Sequence, residues 1–279
     1  MVSEIPASIL TRKGARTTAQ VPPLVRQLLD SGRIESKNLC EWLIVDHYSL
    51  AQAVFAGSEW VALRSKLQRS GAQSGGKTAL GRIQDIGGLL ADFECEEQSG
   101  RILTLVGEHP SDCVRAWGCY VAVRCGSPEF AGILERIHRF AADEHSSVRE
   151  IAWLAVRPLV VETPELAVQE LLSWVCSPDE RIRRFASELT RPRGVWCRRI
   201  PVLCDRPALG LPLLTPLRSD KSAYVRISVG NWLNDASKSA PEFVQEVVRL
   251  WQDESDTSET RDIIRRALRT LKKRVNSET

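Results

Sequence analysis

The apolar residues in the C-terminal half of the chain recur at the spacing of an α-helix. In one stretch they fall at i, i+4, i+7, i+8 and i+11, which is one helical face: Val225, Val229, Trp232, Leu233 and Ala236. Alternating apolar and polar residues, the pattern of a half-buried strand, are nearly absent, and the run RPLVV at residues 157–161 is short and ambiguous. This patterning predicts an all-α protein.

A longer repeat organises these helical stretches. An aliphatic residue followed by arginine opens each of five apolar runs: Val114-Arg115, Val148-Arg149, Ile182-Arg183, Val225-Arg226 and Ile264-Arg265. The spacings of 34, 34, 43 and 39 residues suit two helices and two turns, as in HEAT repeats. Proline-opened runs such as PELAVQELLSWVC and PEFVQEVVRLW supply the first helix of a unit. The sequence therefore predicts a right-handed α-solenoid of HEAT-like helical repeats.

The N-terminal part of the chain is less regular. Residues 1–20 are polar and are expected to be loose, residues 21–100 to form an N-terminal helical cap, and residues 101–279 to form repeats continuous with that cap as one solenoid domain. Within the cap, PPLVRQLLDSG and NLCEWLIVDHYSLAQAVF are predicted to be helical, and RSGAQSGGKT is predicted to be a loop.

Residues 71–78 satisfy the pattern of a phosphate-binding loop, G-x-x-x-x-G-K-T. That chemistry needs a strand before the loop and a helix after it, so that backbone amides converge on a phosphate. The preceding segment, SEWVALRSKLQRS, is polar and helix-like. We therefore interpret the motif as a flexible linker with one solvated lysine.

Composition narrows the class of protein only a little. The net charge is +3 over 279 residues, and the eight cysteines form no C-x-x-C pair, which favours buried free thiols in a reducing cytosol. The sequence shows no signal peptide and no run of 18 apolar residues, so we expect a cytoplasmic protein without a membrane span. The four histidines are scattered, so neither a metal nor a cofactor is expected.

Positive charge is concentrated in two places. Seven arginines lie between Arg181 and Arg199 against the single acid Glu188. A second cluster comprises Arg261, Arg265, Arg266, Arg269, Lys272, Lys273 and Arg274. Guanidinium groups bind phosphate oxygens well, and a curved basic surface suits a duplex backbone. The alternatives are that these arginines are solvated, or that the first arginine of each repeat pairs with an acid of the neighbouring repeat.

Two segments carry a resemblance to a known family. FASELTRPRGVW at 185–196, followed by SAYVRISVGNWLNDASKSAPE at 222–242, resembles the bacterial DNA alkylation repair glycosylases of the AlkC/AlkD type, and most closely the AlkC branch. The resemblance is strongest over residues 140–245. It implies a monomeric enzyme, without metal or cofactor, that excises positively charged N-alkylated bases of the 3-methyladenine type from duplex DNA.

The resemblance also implies roles for particular residues. Glu188 and Asp235 match the acidic site residues of the family, Trp196 matches its aromatic wall, and Arg191 and Arg193 match residues that hold the DNA backbone. Further candidates for DNA contacts are Arg149, Arg183, Arg226 and Lys238. An alkylated purine is already cationic and leaves without a protonating acid, so the carboxylates would stabilise the oxocarbenium-like sugar and orient water.

One position departs from the family pattern. Where the resemblance implies an acid five residues before a proline, this chain has Trp153, with Glu150 one turn earlier. Trp153 is either a second aromatic wall or a core residue. The departure keeps two other functions open, namely a non-catalytic solenoid that recognises unusual or damaged DNA, and a protein-interaction scaffold, which is the commonest use of HEAT repeats.

Overall fold

The computed structural model describes residues 5–278 of the chain, and the side chains of residues 5–273. Residues 1–4 of the segment expected to be loose, and the side chain of Arg274 in the second basic cluster, lie outside the described residues. Every regular element in the described range is a helix, as the patterning predicts. The chain divides into two compact units: one contains the residues up to Pro128 together with His145–Ile151, and the other contains Glu129–Glu144 together with the residues from Ala152 onward.

The first unit contains eight complete α-helices among its described residues: α1 Ala7–Leu10, α2 Pro23–Asp30, α3 Leu39–Leu43, α4 His47–Val54, α5 Val61–Ala72, α6 Ala79–Glu97, α7 Arg101–Gly107 and α8 Asp112–Arg124. Short 3-10 helices lie at Thr18–Gln20 and Ser58–Trp60. The helix α10, Ser146–Glu162, begins in this unit and continues in the second, and it includes the ambiguous RPLVV run.

The remaining helices belong to the second unit: α9 Phe130–Ala141, α11 Pro164–Glu170, α12 Glu180–Leu189, α13 Pro201–Asp205, α14 Leu211–Leu214, α15 Ala223–Ala236, α16 Pro241–Glu254, α17 Ser258–Ala267 and α18 Arg269–Glu278. Short 3-10 helices lie at Trp174–Cys176, Pro207–Gly210 and Thr215–Leu217. The two helices that carry the family-like motifs, α12 and α15, pack against each other, and α15 packs in turn against α17.

Local sequence signals explain where these two helices begin and end. The side chain of Asp179 accepts a hydrogen bond from the backbone N–H of Arg181 at the start of α12, and Ser222 caps α15 in the same way. Helix α12 ends at Leu189 because Pro192 disfavours helical backbone at the residue before it. The predicted apolar face of α15 is buried, including Val225, Val229 and Trp232.

The N-terminal segment and the phosphate-loop pattern have ordinary structural roles. The guanidinium of Arg12 binds the buried carboxylate of Glu41 at 2.7 Å, which anchors part of the segment expected to be loose. Helix α5 runs to Ala72, further than predicted, and so includes the first two residues of the G-x-x-x-x-G-K-T pattern. Lys77 pairs with Asp85 instead of standing alone in solvent. Within residues 5–278 no helix has the length and apolar composition that crossing a membrane requires.

Candidate functional site

Two carboxylates meet where α12 and α15 end. Glu188 lies in the last turn of α12 and Asp235 in the last turn of α15. Both side chains are buried, at 5% and 3% exposure. The packing of α12 against α15 brings them to the same end of the helix pair, although 47 positions separate them in the sequence. We call Glu188 and Asp235 the acid pair.

The guanidinium of Arg191 joins the two members of the acid pair. Its Nη1 donates to Glu188 Oε1 at 2.6 Å, while its Nη2 and Nε donate to Asp235 Oδ2 at 2.6 and 2.9 Å. Arg191 is the second residue after α12, so the end of that helix places it beside both acids. We call this arrangement the Arg191 bridge.

The remaining carboxylate oxygens have partners as well. Ser228 Oγ donates to Glu188 Oε2 at 2.7 Å, and Arg184 Nη2 lies 3.6 Å from the same oxygen. Lys238 Nζ donates to Asp235 Oδ1 at 2.8 Å. Sequence reasoning missed Ser228, which lies among the apolar residues of α15 and is fully buried. A hydroxyl inside an apolar stripe was the available signal, because a buried polar group needs a partner.

The surroundings of Glu188 and Arg191 shift the pKa of each. Burial favours the neutral form of Glu188, but the charges of Arg184 and Arg191 and the Ser228 hydrogen bond outweigh burial and lower its pKa. Burial acts against the charge of Arg191, yet the two carboxylates raise its pKa. Three cationic side chains, Arg184, Arg191 and Lys238, face two anionic ones, so the cluster holds one positive charge in excess.

A short loop follows the Arg191 bridge and exposes a tryptophan. The backbone N–H of Ile200 donates to Pro192 O at 3.0 Å and closes the loop, which we call the 192–200 loop. Trp196 has a φ of 63° and is 74% exposed, beside the exposed Val195. A left-handed backbone costs a bulky residue about 1–2 kcal/mol, so the surroundings must hold this conformation.

Arg157 of α10 braces the 192–200 loop from inside. It is 2% exposed, and its Nη1 donates to Leu189 O and its Nη2 to Arg191 O, both at 2.6 Å. Its Nη2 and Nε also donate to Arg198 O at 3.1 and 3.2 Å. Burial lowers the pKa of Arg157. Sequence reasoning missed this residue; the signal was an arginine inside the apolar run AVRPLVV, where a charge is costly unless it is bonded.

Trp153 lies under the same loop. Its side chain is buried, and a Cβ added to Gly194 would lie 3.8 Å from its ring and would collide with Cys197 Sγ. The ring of Trp153 therefore packs closely against the 192–200 loop. Contact of Trp153 with a DNA base stays a prediction. Glu150 belongs to the other unit.

Three of the repeat arginines, Arg115, Arg183 and Arg226, share one bonding pattern. In each, Nη1 donates to the backbone carbonyls five and six residues earlier. Each also pairs with one acid: Arg115 with Glu35 at 2.6 Å, Arg183 with Asp220 at 2.7 Å, and Arg226 with Asp262 at 3.2 Å. Pairing with an acid of the neighbouring repeat, one of the alternatives left open by the sequence, is confirmed for Arg183 and Arg226, whereas the partner of Arg115 lies in the predicted N-terminal cap. Contact of Arg183 or Arg226 with DNA stays a prediction.

The other predicted DNA-contacting residues are placed differently. Arg193 is half-buried, and its Nε is buried with no hydrogen-bond partner among the described residues. Lys238 is bound to the acid pair but remains more than a third exposed. Arg149 lies near the start of α10, in the first unit.

Ion pairs also occupy part of the C-terminal basic cluster. Arg261 pairs with Asp256, and both Arg265 and Arg266 pair with Asp262.

Over the described part of the chain, no three or more His, Cys, Asp or Glu side chains are grouped so that they could hold a metal ion.

Comparison with known proteins identifies the fold. No protein-family model matches the chain. The uncharacterized protein YhaZ of Bacillus subtilis (strain 168) is 41% identical over 120 residues, which are 43% of this chain and 33% of YhaZ. The alkylpurine DNA glycosylase AlkC of Pseudomonas fluorescens, solved bound to DNA containing an abasic site analog, aligns with a TM-score of 0.64 and 22% identity over 90% of this chain and 65% of its own.

AlkD2 of Streptococcus mutans aligns with a TM-score of 0.51 and 22% identity over 67% of this chain and 97% of its own. The chain thus spans about a third of YhaZ and about two thirds of AlkC. It has the HEAT-like helical repeat fold of the AlkC and AlkD proteins, which confirms the resemblance at the level of the fold.

Proposed function

We propose that this chain is a DNA glycosylase that removes alkylated bases from duplex DNA, and that its preferred substrates are cationic N-alkylated purines such as 3-methyladenine. One observation carries the proposal: two buried carboxylates lie at the ends of two neighbouring helices, close in sequence to a loop that exposes a tryptophan. The AlkC fold supports it, since AlkC was solved with an abasic site analog, and an abasic site is what a glycosylase leaves behind.

The charge that develops in this reaction fits the acid pair. As the bond to a cationic base breaks, positive charge moves onto the sugar, and a nearby carboxylate stabilises that charge and orients a water molecule. The C-terminal ends of α12 and α15 add partial negative charge at the same place. The electron-rich face of Trp196 is suited to a cationic base or sugar.

The Arg191 bridge has a consequence for this mechanism. With Arg184, Arg191 and Lys238 in place, the acid pair is already neutralised, so it offers little attraction to a further cation. A DNA phosphate presents oxygens that a guanidinium binds as a fork. We propose that backbone phosphates bind Arg191 and Lys238 when DNA binds, and that this releases Asp235 to face the sugar. Arg193, Arg149 and Lys238 are proposed as further phosphate contacts, together with Arg183 and Arg226.

The test is a base-release assay on duplex DNA treated with a methylating agent, in which released bases are identified by mass and abasic strands by alkaline cleavage. The wild-type chain, acting as a monomer without metal or cofactor, is expected to release 3-methyladenine or 7-methylguanine. Asp235→Asn is expected to bind the same duplex at least as tightly as the wild type and to lose base release. Excision by Asp235→Asn at the wild-type rate would refute the role of Asp235.

A second function, recognition of damaged DNA without catalysis, is favoured by the compensated charge of the acid pair and by Trp153 at the position where the family resemblance implies an acid. It predicts binding whose affinity falls steeply with salt concentration, because released counterions drive binding to phosphates. It also predicts no abasic product from any alkylated duplex. The base-release assay and a salt titration of binding, performed on one preparation, separate the two functions.

A further inference from the structure

Two cysteines of the first unit lie in contact, far in sequence from the residues of the acid pair. Cys95 is in the last turn of α6, and Cys125 follows directly after the last residue of α8. Helices α6 and α8 pack along each other, which brings their ends together. The two Sγ atoms are 2.9 Å apart, so a disulfide bond of about 2.05 Å needs an approach of less than about 1 Å.

The two thiols differ in their surroundings. Cys95 is exposed to solvent, whereas Cys125 is buried, with its Sγ 3.2 Å from the carbonyl oxygen of Ala91. Burial, together with the hydrogen bond to Cys95, raises the pKa of Cys125 to about 12, so Cys125 remains a thiol at neutral pH. Cys95 is therefore the sulfur that a dissolved oxidant reaches first, and Cys125 is the neighbour held in position to react with the product.

We propose that Cys95 and Cys125 form a peroxide-oxidisable site that closes into an intramolecular disulfide. In the first step the Cys95 sulfur attacks hydrogen peroxide, so that an S–O bond forms, the O–O bond breaks and water leaves. In the second step the Cys125 sulfur attacks the sulfenic sulfur of Cys95. The S–S bond forms, the S–O bond breaks, and the hydroxyl leaves as water with the proton of Cys125. Two thiols are oxidised, and one peroxide is reduced to two waters.

The disulfide would connect the ends of α6 and α8 across the segment that contains α7. Closing that loop restricts the unfolded chain and therefore stabilises the first unit. The site does not depend on the proposed function, because none of its atoms belongs to the acid pair or to the 192–200 loop. A reductant such as a small dithiol would reopen it.

The test uses the full chain and one molar equivalent of hydrogen peroxide, followed by alkylation of the remaining thiols. We expect the bridged form to be lighter than the reduced chain by about 2 Da before alkylation and to carry two fewer alkyl groups after it, and we expect a protease fragment that joins the Cys95 and Cys125 peptides. We also expect the thermal midpoint of the first unit to rise by on the order of 5 °C and to return after dithiothreitol. Cys95→Ser, a change at an exposed position, should abolish all three effects.

Cys176→Ser, which removes an exposed cysteine of the second unit, is the matched control and should leave all three effects intact. The proposal is overturned if Cys95 accumulates sulfinic acid while Cys125 stays alkylatable. It is equally overturned if the first link formed is between two chains, or joins a different pair of cysteines. Unchanged thiols after an excess of peroxide would contradict it as well.

Discussion

Arg226 and Arg191 belong to the same unit, but their guanidinium groups differ in how many carboxylates they bind and in how deeply those carboxylates are buried. Arg226 binds one carboxylate, that of Asp262, together with two backbone carbonyls, and Asp262 remains 20% exposed. Arg191 binds two buried carboxylates from two helices. The first arrangement fastens neighbouring helices together. The second concentrates buried charge at one point. Such an arrangement costs desolvation free energy on folding and is typical of a functional site.

The difference shows why counting arginines does not locate a site in this chain. The repeat arginines Arg115, Arg183 and Arg226 are each paired with an acid and with the turn before their own helix. What distinguishes Arg191 is the number and the burial of its partners. Substitutions that replace Arg191 or Arg226 alone test this difference between the two arginines.

The largest effect is expected from Arg191→Met, which removes the shared cation and leaves both members of the acid pair buried without it. Breaking a buried ion pair in this way costs about 3–5 kcal/mol, so the urea midpoint should fall strongly. The matched change Arg226→Met breaks a partly solvated pair that contributes about 1 kcal/mol or less, together with two hydrogen bonds to backbone carbonyls that water can replace, so its loss should be clearly smaller. If Arg191→Met and Arg226→Met lowered the free energy of unfolding equally, the Arg191 bridge would not differ in energy from the contacts of the repeat arginines.

Arg157→Met should have the next largest effect, because it removes the donors to three backbone carbonyls beneath the 192–200 loop. Hydrogen bonds from charged groups contribute about 1.5–3 kcal/mol, so we expect a loss of about 2–3 kcal/mol. Amide hydrogen exchange should accelerate over residues 190–200 and not over α16. Unchanged exchange in the loop would show that Arg157 does not brace it, and Arg157→Lys should restore protection only in part.

The pKa of Glu188 predicts how stability depends on pH. Because its folded pKa lies below the ordinary value of 4.5, its ionised form adds stability above that pH, and this stability is lost as the pH falls through the folded pKa. The difference in unfolding free energy between the wild type and Glu188→Gln should therefore be constant near neutral pH and shrink below about pH 4.5. A difference that grows on acidification would mean that the pKa is raised instead.

The smallest expected change in stability has the opposite sign. Trp196→Gly puts glycine, which tolerates left-handed backbone, at the position whose φ is 63°. The variant should therefore stabilise the fold by about 1 kcal/mol. The same variant should lose base release, because the exposed ring is gone. A loss of stability would show that the ring packs against the protein, and unchanged base release would remove Trp196 from the proposed mechanism.

Sequence reasoning predicted the helices and the ends of several of them. The apolar face beginning at Val225 is found in the structure, and neighbouring residues explain the caps Asp179 and Ser222 and the end of α12 before Pro192. Such features depend on residues within a few positions of one another. The loop predicted at RSGAQSGGKT begins later than expected, because α5 continues to Ala72.

The contacts of the candidate site were harder to predict, because they join residues far apart in the sequence. Arg191 meets Asp235 across 44 positions and Arg157 meets Arg198 across 41, and only the packing of helices determines such pairs. The family resemblance singled out Glu188 and Asp235, but it did not indicate that one arginine joins them. Sequence reasoning missed Ser228 and Arg157 because each lies within an apolar run, and such runs were interpreted as the hydrophobic core.

Base release by two matched variants tests the central claim most directly. Asp235→Asn and Asp262→Asn each neutralise an acid that pairs with an arginine, but only Asp235 belongs to the acid pair. On a methylated duplex, under single-turnover conditions, we predict release of the alkylated base by the wild type and by Asp262→Asn, and a loss of about 100-fold or more for Asp235→Asn. No release by the wild type, or equal rates for the two variants, would contradict the account.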